Sequence, residues 1–276
     1  MLSIGKETSI KSKISVRISL FLRQNRDMNR YFCHVAYHGA RYHGWQKQKN
    51  AHTLQAVLEK ALSNMLRADI EITGSGRTDK GVHAFEQVFH FDCSGNIDCE
   101  KVLYRLNAHL PVDISANKLY KVNKNAHARF DAKKRSYIYR INRVKNPFEQ
   151  GLSYYFHRPL LVERMNEASD LLIGQHDFES FSKVHTDVNN FVCEIFTSHW
   201  QLKDELLTYH VTANRFLRGM VRTIVGTLLL VGEDKVNLKS FEEIIESKDR
   251  RSAGRAVPAQ GLYLSEVQYP ESIINL

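Results

Sequence analysis

Three features of this 276-residue chain predict an α+β fold made of two β-α-β-β-α-β-like halves with mixed or antiparallel sheets. Segments that alternate apolar and polar residues, as half-buried strands do, are interleaved with segments of 3.6-residue apolar periodicity, as in amphipathic helices. The same order runs through residues 31–122 and again through 137–269, without a sequence-level repeat. A composition of 43% hydrophobic and 25% charged residues, with only 5 prolines, fits one large domain or two intimately packed halves.

In chain order, Tyr31–Tyr37 reads as a strand, followed by a Gly-rich loop, His38 to Gln46. Leu54, Val57, Leu58, Ala61, Leu62, Met65 and Leu66 recur at helical spacing, with Thr53 placed to cap the start. Ile70–Thr73 is a short strand, and Gly74–Gly81 is a turn-rich loop. His83–Cys93 alternates so that Phe85, Phe89 and Phe91 share a face. Cys99–Ala108 is a helix stopped by Pro111, and Ile114–Val122 is a strand. In the second half, Tyr137, Tyr139 and Ile141 alternate along a strand, and Met165, Ala168, Leu171 and Leu172 mark a helix ended by Gly174. Ile195–Leu202 and Leu206–Ala213 form a hairpin. Phe216–Val231 is apolar nearly all round, hence a buried helix. Asn237 caps a helix carrying Phe241, Ile244 and Ile245, and Gly261–Tyr269 is the closing strand.

Composition narrows the class. No apolar run reaches the roughly 18 residues of a membrane-spanning helix; the longest, Ile224–Val231, is interrupted by Gly226 and Thr227. Lys plus Arg number 39 against 30 for Asp plus Glu, a net charge of +9. Almost half of that excess, a net +4, sits in residues 1–27, so the rest of the chain leans only moderately toward polyanions. Residues 1–29, Ser-, Lys- and Arg-rich with one broken apolar cluster, are expected to be a poorly ordered basic tail. Cys33, Cys93, Cys99 and Cys193 form neither a CxxC pair nor a zinc spacing, and no secretory signal precedes them. Reduced thiols in the cytoplasm are the expectation.

Three stretches stand out chemically. In Gly74-Ser-Gly-Arg-Thr-Asp-Lys-Gly-Val-His-Ala84, three glycines in eight residues allow close approach of backbone to a ligand. The spacing is neither that of a Walker loop nor GxGxxG, which disfavours nucleotide binding. A polar turn between strands would explain the glycines but not the carboxylate of Asp79 placed between Arg77 and Lys80. The second stretch is Asn214-Arg-Phe-Leu-Arg-Gly-Met-Val-Arg222 and its continuation to Gly226. Arg215, Arg218 and Arg222 fall at i, i+3 and i+7, a cationic stripe on an otherwise apolar helix, with Gly219 and Gly226 on a shared face suited to close backbone packing. Arg218 reads as solvated. Arg222, flanked by Val221, Thr223 and Ile224, needs an anionic partner, and Asp79 would suit. In the third stretch, Asn125–Arg140, basic and histidine side chains interleave with Phe130, Tyr137 and Tyr139. Such a segment can track a phosphate backbone and stack a splayed base, or it can be a core strand entered by a basic turn.

Together and in this order, these stretches resemble the bacterial tRNA pseudouridine synthase A (TruA) family over about Tyr31–Pro270. The resemblance is carried by Tyr37-His-Gly and Gly44-Trp-Gln-Lys-Gln48, by Gly76-Arg-Thr-Asp-Lys-Gly-Val-His-Ala84, and by Leu106-Asn-Ala-His-Leu-Pro-Val-Asp-Ile114. It continues through His127-Ala-Arg-Phe130, Arg135-Ser-Tyr-Ile-Tyr139, Gly174-Gln-His-Asp-Phe-Glu-Ser-Phe181, Phe216-Leu-Arg-Gly-Met-Val-Arg222 and Pro258-Ala-Gln-Gly-Leu-Tyr-Leu264. Two departures are His38, where the family's first loop commonly has Asp, and Lys80, where a small residue often follows the catalytic Asp. Neither removes a group that the chemistry needs.

The resemblance implies the pseudouridine synthase fold: two ferredoxin-like α/β halves sharing a central antiparallel sheet with a cleft between them. On this chain the N-terminal half, with the Asp79 loop, would run from 30 to 135 and the C-terminal half from 136 to 276. It further implies an enzyme that isomerises uridine to pseudouridine in the anticodon stem-loop of tRNA, at tRNA positions 38, 39 and 40. Asp79 would be the nucleophile or ribose-side catalyst, Tyr137 would stack on the target base, and Arg222 would pair with Asp79. Arg77, Lys80, Arg135 and Arg218 would contact the substrate. No metal or organic cofactor is implied, and the partners would be tRNA and a second copy of the chain. Two other readings of the sequence are a pseudouridine synthase with a different RNA target and an RNA-binding protein without catalysis.

Overall fold

The computed structural model describes residues 28–184 and 189–273. The expected tail therefore lies outside the described residues, except for Met28 and Asn29. Those two are strand: β1 (Met28–Tyr37) starts three residues before Tyr31. Asn29 donates through Nδ2 to the Gly95 carbonyl at 2.7 Å, and Arg30 pairs with Asp92 at 2.7 Å, so the antiparallel partner extends the strand.

The remaining strands are β2 (Ile72–Gly74), β3 (His83–Ser94), β4 (Ile114–Val122), β5 (Lys134–Asn142), β6 (Tyr154–Tyr155), β7 (Gly174–Asp177), β8 (Val192–Lys203), β9 (Leu206–Ala213) and β10 (Leu262–Gln268). The helices are α1 (Leu54–Leu66), α2 (Cys99–His109), α3 (Val162–Asp170), α4 (Met220–Gly232) and α5 (Leu238–Ser247). The ten strands of the described residues join one sheet in the order β4-β1-β3-β10-β5-β9-β8-β7, with β2 also on β3 and β6 also on β5. The sheet is mixed. Its main path is antiparallel except where β10 meets β3, through Tyr263↔His83 and Leu264↔Ala84, and β6 also runs parallel to β5.

Two apolar cores flank this junction. Leu54, Leu58, Leu62, Phe89, Phe91 and Leu106 belong to the first, together with Leu264 and Val267 from β10. Tyr139, Met165, Phe178, Ile224, Leu228 and Phe241 belong to the second, together with Leu262. The last strand thus feeds both cores, and the expected boundary at 135/136 falls within β5. Tyr137 packs against both. β3 is buried on both faces: Phe89 stands against Trp45 and Phe91 against Tyr31, while His90 stands against Phe32 and His127. Phe85 is the exception on its face, half-exposed and stacked on Tyr263 with ring centroids 4.7 Å apart.

Some local expectations change for identifiable reasons. Thr53 is the residue before α1, but its hydroxyl makes no capping bond and is buried without a hydrogen-bond partner. The carbonyls of Gly44 and Trp45 instead accept from the N–H groups of Leu54 and Gln55, at 3.2 and 3.0 Å. α3 ends at Asp170, ahead of the predicted stop: the N–H groups of Leu172 and Ile173 bond three residues back, to the Ser169 and Asp170 carbonyls at 3.2 and 3.1 Å, and Gly174 then opens β7. α4 starts at Met220, not Phe216, since Gly219 adopts φ +75° and breaks helical continuity. The Arg215–Arg218–Arg222 stripe is therefore not helical; only Arg222 lies on α4. Asn237 does cap α5, accepting from the Ser240 N–H at 2.8 Å, and Asp98 caps α2.

Gly226 on α4 admits the backbone of residues 254–255: an added Cβ would lie 1.9 Å from the Arg255 carbonyl oxygen. Gly226→Ala should therefore cost about 1–3 kcal/mol in urea denaturation, as overpacking against fixed backbone does. Two buried histidines supply a pH signature. His83 accepts at Nδ1 from the Gly39 N–H at 3.1 Å and donates from Nε2 to the Gln260 carbonyl at 3.2 Å. His90 accepts at Nδ1 from the Ala128 N–H at 3.1 Å. Burial lowers both side chains to a pKa of about 4. Unfolded, each titrates near 6.5, so only the unfolded chain takes up these protons between about pH 6.5 and 4. The associated stability is complete above pH 6.5 and is lost as pH falls toward 4. Thermal melts should show this decline, and His83→Gln should flatten it at lower overall stability.

Candidate active site

The loop between β2 and β3 is held from below by polar groups that the strands bury. Ser75 donates its N–H to the Val88 carbonyl at 2.7 Å, extending the β2–β3 pairing by one bond. Its hydroxyl donates to Gln87, whose Nε2 in turn donates to the Gly76 carbonyl at 3.0 Å. Thr78 is buried, with its hydroxyl 2.8 Å from that of Tyr37 and its carbonyl accepting from the Trp45 N–H at 3.1 Å. Gly44, at φ +87°, makes the last contact possible, because a Cβ there would lie 2.5 Å from the Thr78 oxygen. The Asp79 carbonyl accepts from the Val82 N–H at 3.2 Å. With the backbone fixed on both sides, the Asp79 side chain is left 31% exposed.

Its cationic neighbours are distant in sequence. Arg222 Nη1 lies 3.4 Å from Oδ2, and Arg218 Nε lies 3.7 Å from Oδ1. Arg222 is itself fixed: its Nε donates to the Val257 carbonyl at 2.7 Å, while the Val257 N–H donates to the Arg222 carbonyl at 3.1 Å. Arg218 is more exposed, at 60%, with its carbonyl accepting from the Lys183 N–H at 2.9 Å. The pairing of Arg222 with Asp79 follows the sequence expectation. Arg218 is not merely solvated, since it also faces the carboxylate.

The sequence neighbours behave differently. Arg77 turns away and donates from Nε to Gln46 Oε1 at 3.0 Å. Lys80 is exposed. Arg135 is spent on four backbone carbonyls: Nη1 donates to Ala132 at 3.4 Å and Asn214 at 3.0 Å, and Nη2 to Ser75 at 2.9 Å and Arg129 at 2.7 Å. It fastens the Asp79 loop to β5 and to the segment that leads into α4. Burial pulls its guanidinium below the ordinary arginine value.

Tyr137 stands on β5 with Phe216 edge-on, ring centroids 5.0 Å apart and planes at 86°. Burial pushes its hydroxyl up to about 12, Arg135 acts in the opposite sense, and Asp79 adds to the rise. Among the described residues no hydrogen-bond partner reaches that hydroxyl, whereas Tyr139 on the same strand is fully buried and donates to the Pro258 carbonyl at 2.8 Å. A carboxylate, two guanidinium groups and an aromatic ring therefore share one place. Among the described residues no group of three or more His, Cys, Asp and Glu side chains could hold a metal ion. Sequence reasoning did not single out Gln87, Val257 or Phe216 for this site. Gln87 carried a signal, as a polar residue on a strand otherwise rich in buried apolar side chains, and Phe216 lay within one of the stretches that carry the resemblance.

Comparison with known proteins accords with this arrangement. A family model described as tRNA pseudouridine synthase matches residues 34–131 and 168–270. A curated tRNA pseudouridine synthase A of Bacteroides fragilis is 48% identical over 250 residues, covering 90% of this chain and 99% of its own. The proteins of the same name from Bacteroides thetaiotaomicron and Porphyromonas gingivalis are 46% and 45% identical, covering 90% and 89% of this chain and 93% and 99% of their own. With the Asp79 loop and both arginines inside the matched regions, the chain belongs to the tRNA pseudouridine synthase family.

Proposed function

We propose that this chain isomerises uridine to pseudouridine in tRNA, acting at positions 38, 39 and 40 of the anticodon stem-loop, with Asp79 as its catalytic carboxylate. The observation that carries the reading is the Asp79 side chain, exposed on one side, fixed by loop bonds beneath it, and faced by Arg222 and Arg218. The names of the relatives supply the substrate class.

The reaction breaks the N1–C1′ bond, turns the base, and forms a C5–C1′ bond. The proton lost from C5 is balanced by one gained at N1, so product and substrate are isomers. Asp79 acts at the ribose or the ring as the nucleophile. Arg222, tied to Val257, holds the carboxylate in place, and the exposed Arg218 adds positive charge where a phosphate must approach. A base that turns within its pocket needs a platform that tolerates rotation. The Tyr137 ring, with its hydroxyl unengaged, supplies one. Lys80 and Arg77, both exposed, offer contacts to the RNA backbone, while Arg135 acts by positioning the loop. In this reading the chain works as a homodimer, which sedimentation velocity tests directly.

Asp79→Asn should abolish pseudouridine formation while tRNA binding stays within a small factor of the parent; normal turnover would sink the mechanism. Tyr137→Phe keeps the ring and Tyr137→Leu removes it. Stacking is worth about 1–3 kcal/mol by truncation, so Leu should weaken tRNA binding far more than Phe. Equal and negligible effects of the two would mean that Tyr137 only packs the core.

A further inference from the structure

The three aromatic residues interleaved with cations over 125–140 have different fates in the fold. Tyr139 is buried and Tyr137 is partly buried between the cores, but Phe130 is 73% exposed. The turn that presents it is pinned at almost every polar group. Asp131 donates its N–H to the His127 carbonyl at 3.1 Å and accepts the His127 N–H on Oδ2 at 2.7 Å. His127 Nδ1 accepts from the N–H groups of Arg129 and Phe130, at 3.1 and 3.3 Å. The Ala126 carbonyl takes Arg30, the Ala128 N–H goes to His90, and the Ala128 carbonyl takes the Tyr269 hydroxyl. A ring left in water does not call for so many fixed partners on its own account. Fixing it in advance lowers the ordering cost of whatever binds there.

Its position points to the occupant. Arg135 Nη2 donates both to Arg129 O, within this turn, and to Ser75 O, on the loop that carries Asp79. One nitrogen thus bridges the turn to the candidate active site, and Nη1 of the same guanidinium reaches Asn214 ahead of Phe216 and Arg218. The His127 ring lies 4.3 Å from the Phe130 ring, the Arg129 guanidinium lies 5.6 Å from its centroid, and Arg129 and Lys133 are exposed. A largely exposed aromatic ring with a guanidinium over it is the chemistry that takes a nucleobase together with its phosphate.

We infer that Phe130 is a second stacking platform, for an unpaired base flanking the reacting nucleotide, and that Arg129 takes the adjoining phosphate. The inference rests on the reading of the chain as an enzyme acting on tRNA, and it adds a contact outside the Asp79–Tyr137–Arg222 cluster.

The test uses the full chain carrying Asp79→Asn, so that binding is measured without turnover, and unmodified tRNA as the probe. Phe130→Leu should weaken binding roughly 5- to 150-fold, the range expected for loss of one stacked base, and leave the salt dependence of binding unchanged. Arg129→Gln should instead flatten the slope of log K against log salt by about one phosphate contact. Phe130→Trp should keep the affinity, and because Trp45 and Trp200 are buried, its new exposed indole should report RNA binding as fluorescence quenching. Parent-like binding by Phe130→Leu, or an unquenched Phe130→Trp on a chain that still binds tRNA, overturns the inference. A changed oligomeric state in Phe130→Leu with RNA affinity intact also overturns it, and would assign the ring to a contact between copies of the chain. If the chain with Asp79 intact neither binds tRNA nor isomerises its uridines, the proposed function itself fails, which is a distinguishable result.

Discussion

The arrangement of the whole molecule hangs on the placement of β10 between β3 and β5. Its parallel pairing with β3 spans only two residue pairs, Tyr263↔His83 and Leu264↔Ala84, a short contact of the weaker kind of ladder. The joint is reinforced by rings. His38 lies 4.5 Å from His83, His83 lies 4.6 Å from Tyr263, and Tyr263 lies 4.7 Å from Phe85, with Arg140 over the Tyr263 ring. His83 adds two backbone hydrogen bonds, one to the first glycine-rich loop and one to the segment just before β10. Each aromatic pair contributes on the order of 1 kcal/mol beyond its burial, so the stack matches the short ladder in importance.

The site is a consequence of that joint. The segment entering β10 carries Val257, which holds Arg222, and Pro258, which receives the Tyr139 hydroxyl. Placing β10 beside β3 therefore brings the Val257–Arg222 clasp to the loop that ends at β3, where Asp79 waits. Arg135 closes the arrangement from β5 by bonding carbonyls of the Asp79 loop, the Phe130 turn and Asn214. Three stretches remote in sequence thus meet through backbone carbonyls, which side-chain variation elsewhere does not easily disturb. The carboxylate faces charge at two distances and two degrees of exposure, one partner clamped and one open to solvent.

How much of this is legible beforehand depends on the range of the forces involved. Ile114–Val122 and Leu206–Ala213 match the strands residue for residue, and Asn237 caps its helix, because alternation and capping are local. Thr53 failed as a cap because a loop outside its own helix already satisfied the helix end. The proposed cationic stripe failed because one backbone torsion, at Gly219, moved Arg218 off the helix, yet it left Arg218 beside Asp79. Arg77 and Lys80 bracket Asp79 in sequence, but Arg77 is bonded to Gln46 and Lys80 is exposed, while the cations that face the carboxylate come from 139 and 143 residues further on.

The sequence by itself determined the strand and helix periodicities, the α+β class, the family resemblance and the identity of Asp79, Tyr137 and Arg222 as a chemically unusual set. Those are properties of residue type and spacing, and they survive without coordinates. Only the tertiary structure decided that the shared sheet is mixed, that β10 joins the two cores, that Arg135 is a backbone clamp, and that Phe130 alone among its neighbouring aromatics stands open. The physical reason is that strand order and the satisfaction of buried carbonyls are set by contacts between segments up to about 180 residues apart, such as His83 with Gln260. No local pattern encodes them.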